Sequence, residues 1–367
     1  MEETVPCRQC KKQCSPNKHE TTNRCSGCKC PIGEHGQSSQ NHRQCCRLSE
    51  SHFLQFFRNF GQRFHKNSGS GSNKQVSSLN VEDVTGFCEA HPRKRALLCG
   101  VTYYKWKYRL KGTINDVKSM RELLTQKYGY HEACIRVLTE DEPEKYTPTK
   151  KNIQFYLKWL VDGSKSGDTL VFYFSGHGLR QPDFNNDERD GFDETICPVD
   201  FMQEGMILDN EINSTIVWPL EKGVTLHAIV DACHSGTILD LEYVYNRDRN
   251  IWEDNSAPSK ARKSTSGGLA ICLSACNDDQ MAADTTAFTG NKMAGAMTFV
   301  MIKTIFNVPD VTYGGLVNNM HEMVEQFNNK SCLSCKFIPK AFHHRQIQDA
   351  LLSSSEKFDV NKTKFML

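Results

Sequence analysis

The chain has 367 residues, of which 24% are charged and 38% hydrophobic, and its formal net charge is +2. That composition supplies one sizeable core and an appendage, and its near-neutral balance excludes a broad basic field that would by itself demand nucleic acid. The longest apolar runs, such as Leu170 to Phe174, are too short for a bilayer, and Met1 to Cys7 contains no apolar stretch of signal type. Export and membrane insertion are therefore not expected.

In chain order, cysteine stands out first. Eight of the 17 cysteines fall within the first 46 residues, which in a large chain without a secretion signal points to metal binding in a reducing compartment. Cys7-x-x-Cys10 and Cys25-x-x-Cys28 have the spacing of a tetrahedral structural zinc site. Cys14, Cys30, His35, His42, Cys45 and Cys46 exceed that pattern and form a second site or compete for the first. A module of residues 1–50 is too short for a full core, so zinc would supply much of its folding energy. Eleven Lys/Arg against five Asp/Glu through residue 66 make this end basic, a weak signal for nucleic acid and a reasonable surface for regulatory proteins. Residues 51–92 hold Phe53, Phe56, Phe57, Phe60 and Phe64 at helical spacing, suited to docking, then a Gly/Ser/Asn-rich linker over 67–80.

From residue 93 onward the pattern alternates. Strands are expected at Arg95 to Tyr104, Cys134 to Thr139, Asp168 to Phe174, Thr225 to Val230 and Leu269 to Leu273. Their near-continuous apolar character suits strands buried on both faces. Val117, Met120, Leu124 and Tyr128 mark one helix, and Ile153, Tyr156, Leu157 and Leu160 another. Later helices are expected at Gly295 to Phe306 and Tyr313 to Phe327. The reading is an α/β domain with a mostly parallel sheet, whose functional groups gather beyond the carboxyl ends of the strands.

Two of those ends carry chemistry. One reads Phe174-Ser175-Gly176-His177-Gly178, the other Val230-Asp231-Ala232-Cys233-His234-Ser235-Gly236. A cysteine thiolate attacks carbonyls, and an imidazole from a neighbouring turn can deprotonate it. The N–H groups of Gly178 and Cys233 are candidates for holding the oxyanion. His234 is the rival base, but adjacent residues on an extended segment point to opposite faces, which favours His177. A lone His or Cys in a turn is ordinarily structural; the pair, each with glycine neighbours at a strand exit, is what argues for catalysis.

The SGHG and DACHSG segments, together with LKGTINDV, DETICPVDF, ILDNEI, GAMT and the closing FDV…KFML, resemble a metacaspase of the plant type I subgroup. The resemblance covers residues 93–367, and the Cys-rich start resembles the zinc-finger prodomain of that subgroup. It implies a caspase-like three-layer α/β sandwich with a large part over about 93–245 and a small part over about 269–367. It also implies a Cys–His dyad and cleavage after Arg or Lys, usually calcium-dependent. A role in regulated proteolysis or programmed cell death, a cytoplasmic or nuclear location and a monomeric state follow from the same resemblance.

The residues bear on specificity independently. Asp116 and Asp231 near a nucleophile suit a guanidinium or an ammonium, although Asp116 also suits a helix N-terminus. By resemblance, Asp116, Ser175 and Asp231 line the first specificity pocket, and Thr113 stands where a cysteine is usual. Asp183, Asp187, Glu188, Asp190, Asp193 and Glu194 form an acidic run followed by Asp209, Asn210 and Glu211. An EF-hand is rejected because its twelfth position would be Cys197. By resemblance the calcium ligands are Asp193, Asp209, Asn210 and Asp240, with Asn210 in place of Asp weakening the ion without excluding it. The polar stretch 243–268 carries Arg247, Arg249, Lys260, Arg262 and Lys263, candidates for self-cleavage or simply charges on a solvated loop. Cys332-x-x-Cys335 with His343 and His344 is taken as surface loop, not zinc. The alternative to a peptidase is a scaffold whose zinc module recruits partners.

Overall fold

The chain divides into two units, residues 1–74 and 75–367. A computed structural model describes residues 93–275, 294–334 and 350–367, together with the isolated pairs 5–6, 13–14 and 284–285. In the first unit the described residues are one short antiparallel ladder, Val5–Pro6 against Gln13–Cys14. The expected zinc ligands Cys7, Cys10, Cys25 and Cys28 and the phenylalanines at 53–64 lie outside the described residues.

Five apolar runs become the parallel core of an eight-stranded sheet: β1 (Lys94–Gly100), β2 (Ile135–Thr139), β3 (Thr169–Ser175), β7 (Thr225–Asp231) and β10 (Leu269–Ser274). Three further strands complete it antiparallel, β8 (Tyr243–Asn246), β9 (Ile251–Asp254) and β11 (Leu351–Ser354), giving the order β9-β8-β11-β10-β7-β3-β1-β2. A small separate sheet holds β4 (Gly178–Pro182), β5 (Phe192–Ile196) and β6 (Ile207–Leu208).

Because successive side chains alternate faces, β1, β3 and β7 each feed two cores. Leu97, Cys99, Leu170, Phe172, Phe174, Leu226, Ala228 and Val230 pack with Tyr156, Leu157 and Leu160 of α2 (Lys150–Val161). The opposite face meets α1 (Thr113–Gln126), α3 (Ala296–Asn307) and α4 (Tyr313–Ser334). Helices on both faces follow from right-handed crossovers that step outward from β1 to β2 and back to β3. The result is the expected three-layer α/β arrangement around a mostly parallel sheet. Thr149 starts α2 by accepting the Asn152 N–H at 3.2 Å.

Three local readings differ. β1 ends at Gly100: the Val101 N–H still donates to the Ser175 carbonyl at 2.9 Å, but those that follow leave the sheet, the Glu140 carboxylate accepting the N–H groups of Thr102, Tyr103 (2.8 Å) and Tyr104 (3.0 Å). The stretch expected as a processing loop begins as a hairpin, β8 and β9, in which Tyr245 packs on Trp252 with ring centroids 5.4 Å apart. The charged residues between and after its two short strands mask the hairpin in the sequence. Cys99 and Cys272 are buried free thiols, whereas Cys134 is disulfide-bonded.

Candidate active site and a buried acidic cluster

Register sets up the site. β3 and β7 pair in parallel with Ser175 opposite Asp231, so His177 and Cys233, each two residues farther on, leave adjacent strands at the same level. Cys233 is half-buried. The next residue, His234, has φ 48°, a left-handed conformation that bends the chain sharply just after the thiol. Gly178 lies against the same turn. A Cβ at position 178 would stand 2.0 Å from the Cys233 carbonyl oxygen, so only glycine permits this approach.

The histidine is held from three sides. Its Nε2 lies 2.7 Å from the Tyr108 carbonyl oxygen. A carbonyl only accepts, so Nε2 carries the proton and Nδ1 is left to exchange one. The buried Tyr103 hydroxyl accepts the His177 N–H at 2.9 Å and donates to the Cys197 carbonyl at 2.6 Å. The Tyr103 and Tyr108 rings lie 4.6 and 5.7 Å from the imidazole. Glu140 clamps the start of the loop that carries Tyr108. Sequence reasoning missed Tyr103, Tyr108 and Glu140; Tyr108 acts through its backbone carbonyl, and Glu140 on backbone N–H groups, neither of which leaves a compositional trace.

Asp116, Ser175 and Asp231 converge as expected. Ser175 Oγ donates to Asp116 Oδ2 at 3.1 Å. Yet both carboxylates are already engaged from within the chain. The Gly295 N–H donates to Asp116 at 2.9 and 3.0 Å, and Thr298 gives its N–H (3.0 Å) and hydroxyl (2.7 Å) to Asp231. Asp116 and Asp231 are only 2% and 4% exposed. A Cβ on Gly295 would lie 2.2 Å from Asp231 Oδ2 and 3.0 Å from Asp116 Oδ2, so the two carboxylates flank one point at the start of α3. Thr113 is buried, its hydroxyl 2.9 Å from that of Thr102.

Residues 94–242 match the family model described as "Metacaspase, peptidase C14 domain". Metacaspase-3 of Arabidopsis thaliana is 46% identical over 281 residues, covering 75% of this chain and 76% of its own length. The chain belongs to the metacaspase family. Metacaspase-1 of the same plant is 49% identical over 244 residues, 65% of this chain and 66% of the relative. A Geobacter sulfurreducens protein of known crystal structure, 19% identical, shares the fold with a TM-score of 0.50 over 75% of this chain and 99% of its own. Membership makes the chain a caspase-like cysteine peptidase, whose substrates are proteins. Among the described residues, no helix is long and apolar enough to cross a membrane.

The second site of this metacaspase is acidic and buried. Asp183, Asp187 and Asp193 bring carboxylate oxygens within 4.8 Å of one another, and so do Asp187, Glu188 and Asp240. Asp209 joins them from the start of the turn Asp209–Ile212, where it accepts the Glu194 N–H at 2.7 Å. Asn210 donates to Asp187 at 2.9 Å while its Oδ1 is buried with no hydrogen-bond partner, as are Asp187 Oδ1 and Asp193 Oδ1. The expected calcium ligands Asp193, Asp209, Asn210 and Asp240 are thus gathered, with Asp187 and Glu188 added. Burial, and then the Asp240 charge, pushes Glu188 up to about 9. Burial and the Glu194 charge raise Asp209 well above the carboxylate range, and burial raises Asp193 and Asp240 as well. An all-oxygen donor set with orphaned oxygens fits a hard cation such as calcium.

One expected processing residue departs from that role. Lys263 is 2% exposed, and its Nζ lies 2.9 Å from Glu188 Oε1 and against Asp240 Oδ1. Burial alone would lower its pKa, but Asp240 and Glu188 outweigh that and raise it. Lys263 is therefore no surface cleavage site in this conformation. Arg247 pairs with Asp248, and Arg249 with Glu253 across the β8–β9 hairpin, so both lie in a tight turn. Lys260 and Arg262 are exposed in the irregular segment that follows.

Proposed function

We propose that this metacaspase is an endopeptidase that cleaves after Arg or Lys through Cys233 and His177, stimulated by calcium and able to process itself. The observation that carries the reading is the β3–β7 register. It aims thiol and imidazole out of neighbouring strands, and it sets Ser175 and Asp231 beside Asp116 one step below.

His177 Nδ1 takes the Cys233 proton, and the thiolate attacks the scissile carbonyl carbon. The N–H groups of Gly178 and Cys233 receive the oxyanion. Collapse expels the amine, which takes the proton from His177, and leaves a thioester. Water, deprotonated by His177, then releases the acid and restores the thiol. Tyr108 holds the imidazole tautomer throughout. The substrate's basic side chain is received by Asp116, Ser175 and Asp231, with Thr113 as a wall. To reach them it replaces the N–H groups of Gly295 and Thr298, so binding entails a shift at the start of α3.

Calcium would be held by Asp193, Asp209, Asn210 and Asp240 with Asp187, where it supplies positive charge to a buried carboxylate cluster and takes no part in bond cleavage. Zinc on Cys7, Cys10, Cys25 and Cys28 would organise an N-terminal module that receives regulatory proteins. The chain acts as a monomer: edge strand β9 exposes Glu253 and Asp254, charges that discourage strand pairing. Its place in cytoplasmic or nuclear regulated proteolysis, including programmed cell death, rests on family resemblance.

The test compares an Arg peptide with its Asp counterpart, with and without millimolar calcium, on wild type and Cys233→Ala. Cleavage of the Arg peptide that requires Cys233 and rises with calcium is expected. Cleavage after Asp would overturn the pocket, and cleavage of neither peptide by the folded, zinc-loaded chain would favour the scaffold reading that the occupied carboxylates permit.

A further inference from the structure

The acidic cluster contains a cation of its own. Asp183, Asp187, Glu188, Asp193, Glu194, Asp209 and Asp240 are drawn from the β4–β5 connection, β5, the 209–212 turn and the segment after Cys233. The ammonium placed among them belongs to Lys263, from the segment that joins β9 to β10. We propose that Lys263 is a tethered competitor of the divalent ion, so that cation binding and docking of residues 258–265 exclude one another. The inference rests on the calcium reading above and adds to it a regulatory strap.

Three observations support exclusion. Asp240 is shared: it is a ligand by the calcium reading and also the partner of Lys263. An ammonium and a divalent ion on the same buried carboxylate repel strongly, because little water screens them. Asp187 joins the two halves of the cluster, lying within 4.8 Å of Asp193 on one side and of Glu188 and Asp240 on the other. An ion bridging Asp193, Asp187 and Asp240 therefore stands next to the Lys263 position. Finally, the middle of the strap has little else to keep it in place. Its far end is anchored, the Ser266 and Gly268 N–H groups both donating to the Leu220 carbonyl at 3.0 Å, but apart from Lys263 the 258–265 stretch is pinned by exposed contacts: Trp218 Nε1 donates to the Arg262 carbonyl at 3.1 Å and the Arg262 guanidinium lies 5.5 Å from the Trp218 ring. Such contacts are individually weak.

The consequence is directional. In low calcium the lysine offsets charge at Glu188 and Asp240, and the strap lies down with Lys263 hidden. When an ion takes Asp240, the ammonium leaves, and the 260–263 stretch, with three basic residues, becomes an extended exposed peptide. That is the form a protease with a basic pocket cleaves. Calcium would thus turn its own competitor into a processing site without altering the dyad.

The test uses full-length protein with Cys233→Ala, which removes self-cleavage, as background. Calcium affinity is measured by isothermal titration for that protein and for its Lys263→Met derivative. Lys263 accessibility is followed by amine acylation and mass spectrometry, and the strap by the Trp218 contribution to fluorescence, with Trp218→Phe as blank. Removing the competitor is expected to tighten calcium at least tenfold. Saturating calcium is expected to raise Lys263 acylation severalfold and change the Trp218 signal in the unsubstituted background. Equal affinities, with Lys263 still protected at saturation, would overturn the strap while leaving the calcium site standing. Absence of calcium binding in both proteins would overturn the calcium reading, and the strap with it. If Lys263→Met does not fold, the acylation and fluorescence arms decide alone.

Discussion

The imidazole of His177 owes its role to atoms that no side-chain motif records. Tyr108 contributes a carbonyl, Tyr103 a buried hydroxyl against the His177 N–H, and Gly178 the lack of a Cβ. Gly178→Ala isolates the last contribution. Its methyl would need to displace the Cys233 carbonyl, moving the thiol relative to Nδ1 and the oxyanion donors. A misplacement of that kind costs roughly 100-fold in rate, and kcat for the Arg peptide is expected to fall by about that factor while circular dichroism stays unchanged. Unaltered kcat would show that the turn adapts and that Gly178 does not set the dyad. At this scale the positions of His177, Cys233 and Asp231 at neighbouring strand exits were legible from the sequence, because glycine-flanked reactive residues after apolar runs are compositional signals, and Asp116 was legible as a carboxylate in the first turn of a helix. Lys263 was not: one lysine in a basic loop is indistinguishable from its neighbours until the fold brings Glu188 and Asp240 to it.

Among the elements, the start of α3 joins stability to specificity. It has no side-chain cap of its own; Asp231, from β7, accepts the Thr298 N–H and hydroxyl instead. A carboxylate there satisfies an otherwise orphaned donor and favours the positive end of the helix. Two substitutions separate the roles. Asp231→Asn keeps an acceptor, so thermal stability is expected to change little, while KM for the Arg peptide rises at least tenfold through loss of charge. Asp231→Ala also removes the cap, worth about 1 kcal/mol, and the melting temperature should drop as well. Equal KM values for wild type and Asp231→Asn would leave Asp231 as a helix cap and remove it from the pocket. The parallel strands were readable because burial on both faces makes them almost wholly apolar, as in Leu170 to Phe174. The β8–β9 hairpin and β11 were not. The β8–β9 strands are only four residues each and are joined by the charged turn 247–250, and Leu351–Ser354 offers two leucines before polar Ser353 and Ser354, buried by pairing with β10.

Across the whole molecule, one buried base sets a limit on acid stability. His227 lies in the middle of β7 with its Nε2 2.6 Å from the Tyr313 hydroxyl and its Nδ1 without a hydrogen-bond partner. Burial, with a smaller contribution from the Lys94 charge, lowers its pKa from 6.5 to about 4. Below pH 6.5 the unfolded chain takes up a proton at this position that the folded chain refuses. The linked stability is therefore fully present above about pH 6.5 and is lost progressively as the pH falls toward 4. A difference of 2.5 units corresponds to about 3 kcal/mol over that window. Other ionisable groups also respond to acid, so the effect must be read as a difference between two proteins. His227→Gln keeps a partner for Tyr313 and removes the titration, and the other groups cancel in the comparison. Urea unfolding at intervals from pH 7.5 to 4 is expected to give a wild-type-minus-variant stability that is flat down to about pH 6.5 and then falls by up to about 3 kcal/mol. A flat difference down to pH 4 would mean that His227 is protonated in the fold, and that the contact between β7 and α4 is an imidazolium held by Tyr313 and not a neutral pair.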